Sequence, residues 1–202
     1  MLKLYDNLSS GNSYKVRLLL HQLNILYARI ELDIDKRETR TPQFLARNPN
    51  GRIPTLELED GTCLPESNAI LFYLAEGTPF LPTTRLARAQ VLQWMFFEQY
   101  SHEPNIATSR YWLTHGIEIT PQREAMLVLK QQGGEAALAV MEQHLATQAY
   151  FVEERYTIAD IALYAYTHVA EEGRFALAPY PAVRAWLARV AAQPRHIAIT
   201  QR

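Results

Sequence analysis

One cysteine, Cys63, stands in the whole chain of 202 residues. That scarcity excludes an intramolecular disulfide framework and any cysteine-based zinc site, and leaves at most one reactive thiol. The six histidines, at 21, 102, 115, 144, 168 and 196, form no HxH or HxxxH pair, so no metal site is expected. An excess of either charge is missing too: 20 Lys plus Arg face 21 Asp plus Glu, and no whole-molecule field draws the chain to nucleic acid or to an anionic membrane. No apolar run approaches the roughly 18 residues of a spanning helix. The chain opens directly on strand-like sequence, without the basic segment and apolar stretch of a signal peptide. These absences predict a soluble, cytoplasmic protein that meets neither membrane nor nucleic acid, whose function resides in a local site.

What is present is an ordinary globular composition, 48% hydrophobic, arranged in two halves of different period. From Met1 to Gly77 the signals alternate. "KLYD" reads as a strand, Ser13 to Leu23 as a helix with Val16, Leu19, Leu20 and Leu23 on one face, and "ILYARIELDI" as a second strand. "TPQFLARN" has the form of a short capped helix; "TLELE" and "TCL" are strands joined by the turn Asp60-Gly61; "ESNAILFYLAEG" is a helix closed by Gly77. The order is βαβ-α-ββα. "TPFLPTTR", residues 78–85, reads as a linker. Residues 86–202 carry almost no strand signal and predict a bundle of about five helices: 86 to 112 as one helix or two kinked at Pro104, Pro121 to His144 bent at Gly133-Gly134, Thr157 to Val169, and Pro181 to Ala192.

Two stretches carry candidate chemistry. In "NGRIPTLELEDGTCLPESNAI" a proline opens a strand, and Glu66-Ser67 opens a helix. Free amides and a hydroxyl at a helix start accept a carboxylate or phosphate, and Glu66 beside them holds an ammonium; an amino-acid head group presents both charges. Read alone, the same pair is an ordinary cap with an acid in the first turn, and Pro54 an ordinary trans proline on an edge strand. In "LSSGNSY" three hydroxyls, Ser9, Ser10 and Ser13, surround Gly11 and Asn12 at a helix entrance.

Taken together, "NPNGRIPTL", "ESNAI", the capping-box sequence "TIADIALYAY" and "FEQYSHEPNIA" resemble the soluble glutathione S-transferases, in particular bacterial members of theta-, beta- and nu-like type. The resemblance implies an α/β thioredoxin-like N-terminal domain at 1–77, a linker at 78–85 and an all-α domain at 86–202 with an electrophile pocket. It implies a cis Ile53-Pro54 bond, with Ile53 pairing its backbone with the cysteinyl unit of glutathione. Glu66 and Ser67 would hold the γ-glutamyl group and Arg52 the glycine carboxylate, with Arg37 and Arg40 as other candidates. Tyr100, Tyr111 and Trp112 would line the electrophile pocket. Gln99 and His102 would reach glutathione across the interface of a homodimer. Thr157 and Asp160 would cap a buried helix and serve folding.

Members of this family act by ionising the glutathione thiol, so that its thiolate attacks a small apolar electrophile. A thiol with a pKa near 8.5 must drop about 2 units, or about 2.7 kcal/mol, to be mostly ionised at pH 7. A hydroxyl donated to the thiolate supplies about 1.5 to 3 kcal/mol and a helix start about 0.3 to 1. The resemblance puts Ser10 at the catalytic position, with Asn12 as alternative or joint donor; Ser9 is a loop residue and Ser13 a cap or first-turn residue. Other activities fit the same residues: a zeta-like glutathione-dependent isomerase, a disulfide-bond reductase or peroxidase, or a non-catalytic interaction module.

Overall fold

The computed structural model describes residues 1–201. They form two compact units, Met1–Thr78 with Pro194 onward, and Pro79–Gln193.

The first unit is built on a four-stranded sheet in the order β2-β1-β3-β4. β1 (Leu2–Asp6) pairs in parallel with β2 (Tyr27–Glu31), and α1 (Gly11–Gln22) makes the crossover between them. α2 (Pro42–Leu45) is a single turn capped by Thr41, whose hydroxyl accepts from Phe44 N at 3.3 Å. β3 (Thr55–Glu57) and β4 (Cys63–Pro65) are an antiparallel hairpin, and β3 runs antiparallel to β1. Its turn needs Gly61, whose φ is +88°. α3 (Ser67–Ala75) closes the unit. The core is apolar and sealed: Leu4, Val16, Leu19, Leu20, Leu56, Ile70 and Leu71 are all fully buried, each worth about 1.5–3 kcal/mol relative to exposure.

α1 departs from simple amphipathic expectation, because every residue from Ser13 to Leu20 is buried, Lys15 and Arg17 included. The reading of 86–202 as one helical domain also changes. Residues 195–199 bond to α1: Tyr14 Oη donates to Ile197 O at 2.6 Å, Arg17 Nη2 to Ile199 O at 2.9 Å, and His21 Nδ1 to Arg195 O at 2.7 Å.

The second unit is helical: α4 (Arg85–Phe97), α5 (Glu103–Thr114), α6 (Pro121–Leu145), α7 (Ile158–Thr167) and α8 (Pro181–Ala191). A π-helical turn, Glu98–His102, joins α4 to α5 just before Pro104. Proline has no N–H to donate back into the helix, which favours such a local change of spacing. α6 runs uninterrupted through Gly133-Gly134, where a bend was expected. These glycines serve close approach instead: a Cβ on Gly134 would lie 2.3 Å from Phe175 Cε1, and one on Gly133 2.8 Å from the Asn105 side chain. Part of the expected linker is anchored in this unit, since Phe80 O accepts from Ile158 N at 3.0 Å and Leu81 is buried.

α7 is the axis of the unit, buried at all ten positions. Asp160 accepts from Thr157 N at 2.9 Å, the Thr157 hydroxyl at 3.2 Å, Phe151 N at 3.3 Å and Trp186 Nε1 at 2.9 Å. Burial pushes its carboxyl up to about 6 against the pull of those donors. No helix among the described residues is long and apolar enough to cross a membrane.

Candidate functional site

Strand register brings three separate segments to one end of the sheet. Tyr5 of β1 lies opposite Thr55 of β3, and Thr55 lies opposite Pro65 of β4. The residues after β1, before β3 and after β4 therefore emerge together: loop 7–10, turn 51–54, and Glu66-Ser67. This is the carboxyl end of β1, the end at which open α/β sheets receive ligands.

In the loop, Ser10 is the N-cap of α1, and its Oγ accepts from Ser13 N at 3.2 Å. Ser13 is buried in the first turn, so the capping role belongs to Ser10. This does not compete with chemistry. Capping uses a lone pair of the hydroxyl oxygen, whereas a bond to an anion uses its hydrogen. Ser9 turns back within the loop, its Oγ donating to Asn7 Oδ1 at 2.7 Å. Asn12 lies in the first turn of α1, and its Oδ1 accepts from Ser67 Oγ at 3.3 Å, which links the loop segment directly to the start of α3.

In the turn, the Ile53-Pro54 bond is cis. Its neighbours hold it from below. Asn48, buried at 2% exposure, donates from Nδ2 to Arg52 O at 2.7 Å and to Thr55 Oγ1 at 3.2 Å. Gly51 has φ +62°, and a Cβ there would lie 2.5 Å from Arg40 Nη1. Arg40 itself donates to Asn50 O at 2.9 Å, so it braces the turn, while the Arg52 side chain is exposed.

At the start of α3, Glu66 has φ +70° and ψ 112°, a region that costs a non-glycine residue about 1–3 kcal/mol and that clusters at functional sites. Its exposed side chain makes no cap bond. Ser67, 6% exposed, accepts from Lys15 Nζ at 3.4 Å. Neither α1 nor α3 has an acidic residue in its first turn. Two helix starts and the Lys15 ammonium thus face this end of the sheet, an arrangement that attracts an anion. Lys15 and Asn48 were not foreseen. Asn48 had a signal in the turn sequence "NPNG", whereas Lys15, outside the apolar face Val16, Leu19, Leu20 and Leu23, reads as a solvated charge.

Cys63 lies in β4, half-buried, and burial with the nearby Glu57 carboxylate pushes its thiol up, away from thiolate chemistry at neutral pH. Among the described residues no group of three or more His, Cys, Asp or Glu is placed to hold a metal ion.

The expected residues of the helical unit have varied surroundings. Gln99 Nε2 donates to Glu98 Oε2 at 2.9 Å. His102 is fully buried, with Nε2 2.9 Å from Thr167 Oγ1 inside its own unit. Tyr100 is 89% exposed. Tyr111 and Trp112 are half-buried, with Tyr111 stacked on His115 at 4.3 Å between centroids.

Known proteins match this chain along nearly its full length. The glutathione S-transferase N-terminal domain model matches residues 1–76 and the C-terminal domain model residues 94–194. A glutathione S-transferase from Pseudomonas fluorescens has 51% identity and a TM-score of 0.96, over 99% of each chain. The disulfide-bond oxidoreductase YfcG of Escherichia coli is 32% identical over 91% of this chain and 87% of its own length. The glutathione transferase URE2P6 from Phanerochaete chrysosporium, solved in complex with oxidized glutathione, has 26% identity and a TM-score of 0.86, over 96% and 92% of the two chains. The two domain models, which together match residues 1–76 and 94–194, place the chain in the glutathione S-transferase family.

Proposed function

We propose that the first unit binds glutathione and holds its sulfur as a thiolate at the start of α1. The observation that carries this reading is the Ser67–Asn12 bond of 3.3 Å beside the cis Ile53-Pro54 turn. It joins, at one sheet end, the groups suited to the head and to the thiol of one ligand. In this reading the backbone of Ile53 pairs with the cysteinyl unit, next to Pro54. Ser67 takes the γ-carboxylate end, Glu66 the ammonium and Arg52 the glycine carboxylate. Ser10 donates its hydroxyl hydrogen to the sulfur, and Asn12 is the second donor. The complex of URE2P6 with oxidized glutathione supports the ligand.

The thiolate then attacks a small apolar electrophile: a carbon–sulfur bond forms and the leaving group departs with the electron pair of its bond. Tyr111 and Trp112, with Tyr100, are the pocket residues of this reading. A homodimer belongs to it as well, supported by exposed Tyr73, Leu86, Phe96 and Tyr100, with Gln99 as the residue offered to the partner's ligand. His102 is left out, because burial against Thr167 occupies it.

A second reading is favoured by the relative YfcG: the same thiolate attacks a disulfide, forming a mixed disulfide and releasing a thiolate. Retention on immobilised glutathione tests the shared claim, and loss of the protein in the wash contradicts it. Turnover of a halide electrophile against a glutathione mixed disulfide separates the two activities.

A further inference from the structure

We infer that Arg17 is a positioning residue for the Ser10 loop, and that the C-terminal segment 195–199 is a strap that seats it. The inference rests on the proposed role of Ser10.

One guanidinium joins three parts of the first unit. Arg17, 1% exposed, donates from Nη1 to both Asp6 carboxylate oxygens at 2.8 Å and to Asn7 O at 3.4 Å. From Nη2 it donates to Leu8 O at 3.0 Å and to Ile199 O at 2.9 Å. Asn7 O also receives Ser10 N at 3.0 Å, so the guanidinium is one hydrogen-bonded atom away from the backbone of Ser10. The loop is tied as well by Leu8 N to Glu31 Oε1 at 2.9 Å, Asn7 Nδ2 to Leu32 O at 3.0 Å and Tyr14 N to Ser10 O at 2.9 Å.

The strap has its own regularity. Tyr14, Arg17 and His21 recur at i, i+3 and i+7, one face of α1. They reach the carbonyls of Ile197, Ile199 and Arg195, alternate residues of the tail. A tail held at three points fixes the far end of the guanidinium fork, and the fork fixes the loop. Such preorganisation matters for a hydroxyl that must meet a sulfur at hydrogen-bond distance. Lysine cannot replace the fork, since an ammonium is a point charge that does not span three carbonyls and a carboxylate.

Full-length Arg17→Lys and Tyr14→Phe test this through glutathione affinity and the pH midpoint of bound-thiolate absorbance. The charged and titratable groups around the loop and tail include Asp6, Tyr14, Lys15, His21, Tyr27, Arg29, Glu31, Glu66, Arg195 and His196. Arg17→Lys preserves their net field, so a shifted midpoint reports geometry. Expected for Arg17→Lys is a midpoint raised by about half a unit to one unit, a threefold to tenfold loss of thiolate at a fixed pH well below the midpoint, with affinity within about twofold. Tyr14→Phe, which removes the hydroxyl's contacts with Ile197 O and His196 Nε2 in the tail, should shift the midpoint the same way by less. An unchanged midpoint in Arg17→Lys, with only thermal stability reduced, overturns the positioning role. An unchanged midpoint in Tyr14→Phe overturns the strap. Failure of the wild-type protein to bind glutathione removes the underlying reading, and with it this inference; normal wild-type binding with unshifted variants removes the inference alone.

Discussion

α1 and α7 both begin with a hydroxyl cap, and they differ in what answers the helix dipole. At α7 the cap Thr157 and its partner Asp160 are fully buried, and a carboxylate in the first turn satisfies the helix start from within. At α1 the cap Ser10 is half-exposed and the first turn holds no acid. The α3 start also has no acid within its first turn, but its N-cap is itself acidic, Glu66, which makes no cap bond. The positive end of α7 is consumed by folding, whereas that of α1 has no acid of its own in its first turn, which in the proposed reading leaves it for a ligand's negative charge. A capping residue is therefore diagnostic of function only together with the charge, or lack of charge, in the turn that follows it.

Substitutions that exchange these arrangements test the contrast. Asp160→Ala strands four donors in the core of the helical unit, and a loss of about 3–5 kcal/mol in unfolding free energy is expected from denaturant titration. The Asp160 carboxyl also predicts a pH dependence. Its folded value of about 6 lies above the ordinary 3.8, so the stabilisation is complete below pH 4 and lost as pH rises through 6, by about 2–3 kcal/mol. Asp160→Asn should flatten that decline. Glu57 acts in the opposite sense: Lys3 and Tyr5 bond its carboxylate and pull it down to about 2, so its contribution holds above pH 4.5 and fades toward pH 2. At the open starts, Ser67→Ala should weaken glutathione binding by about 1–3 kcal/mol in calorimetry, with stability nearly unchanged; equal affinity would reduce Ser67 to a cap. Asn12→Asp gives α1 the internal acid that α7 has. It should add about 0.3–1 kcal/mol of stability while raising the midpoint of bound-thiolate absorbance; a lowered midpoint would contradict the electrostatic contrast.

The element order was legible because periodicity and turn chemistry agree over most of the chain: the Asp60-Gly61 hairpin, the Thr41-Pro42 helix start and the Thr157–Asp160 box are all local signals. What the sequence hid depends on contacts distant in the chain. Lys15 and Arg17 look like solvated charges until Ser67 and Asp6 are brought against them. The tail 195–199 has no pattern of its own and acquires its place from Tyr14, Arg17 and His21. Gly133 and Gly134 signalled a bend, since composition does not say whether a glycine serves flexibility or the approach of Asn105 and Phe175. At the candidate site, the cis Ile53-Pro54 turn and the Glu66-Ser67 helix start were expected from their motifs and lie at one sheet end, while Asn48, which braces the turn, required the register that sets Thr55 beside it.

The central claim is that the acid-free start of α1, through the Ser10 hydroxyl, holds a bound sulfur as thiolate. A pH titration of thiolate absorbance for glutathione bound to the wild-type protein and to Ser10→Ala tests it most directly. The account predicts a wild-type midpoint about 2 units below the ordinary thiol value of about 8.5, and a midpoint about 1 unit higher in Ser10→Ala with modest loss of affinity. Superimposable titrations of the two proteins would contradict it.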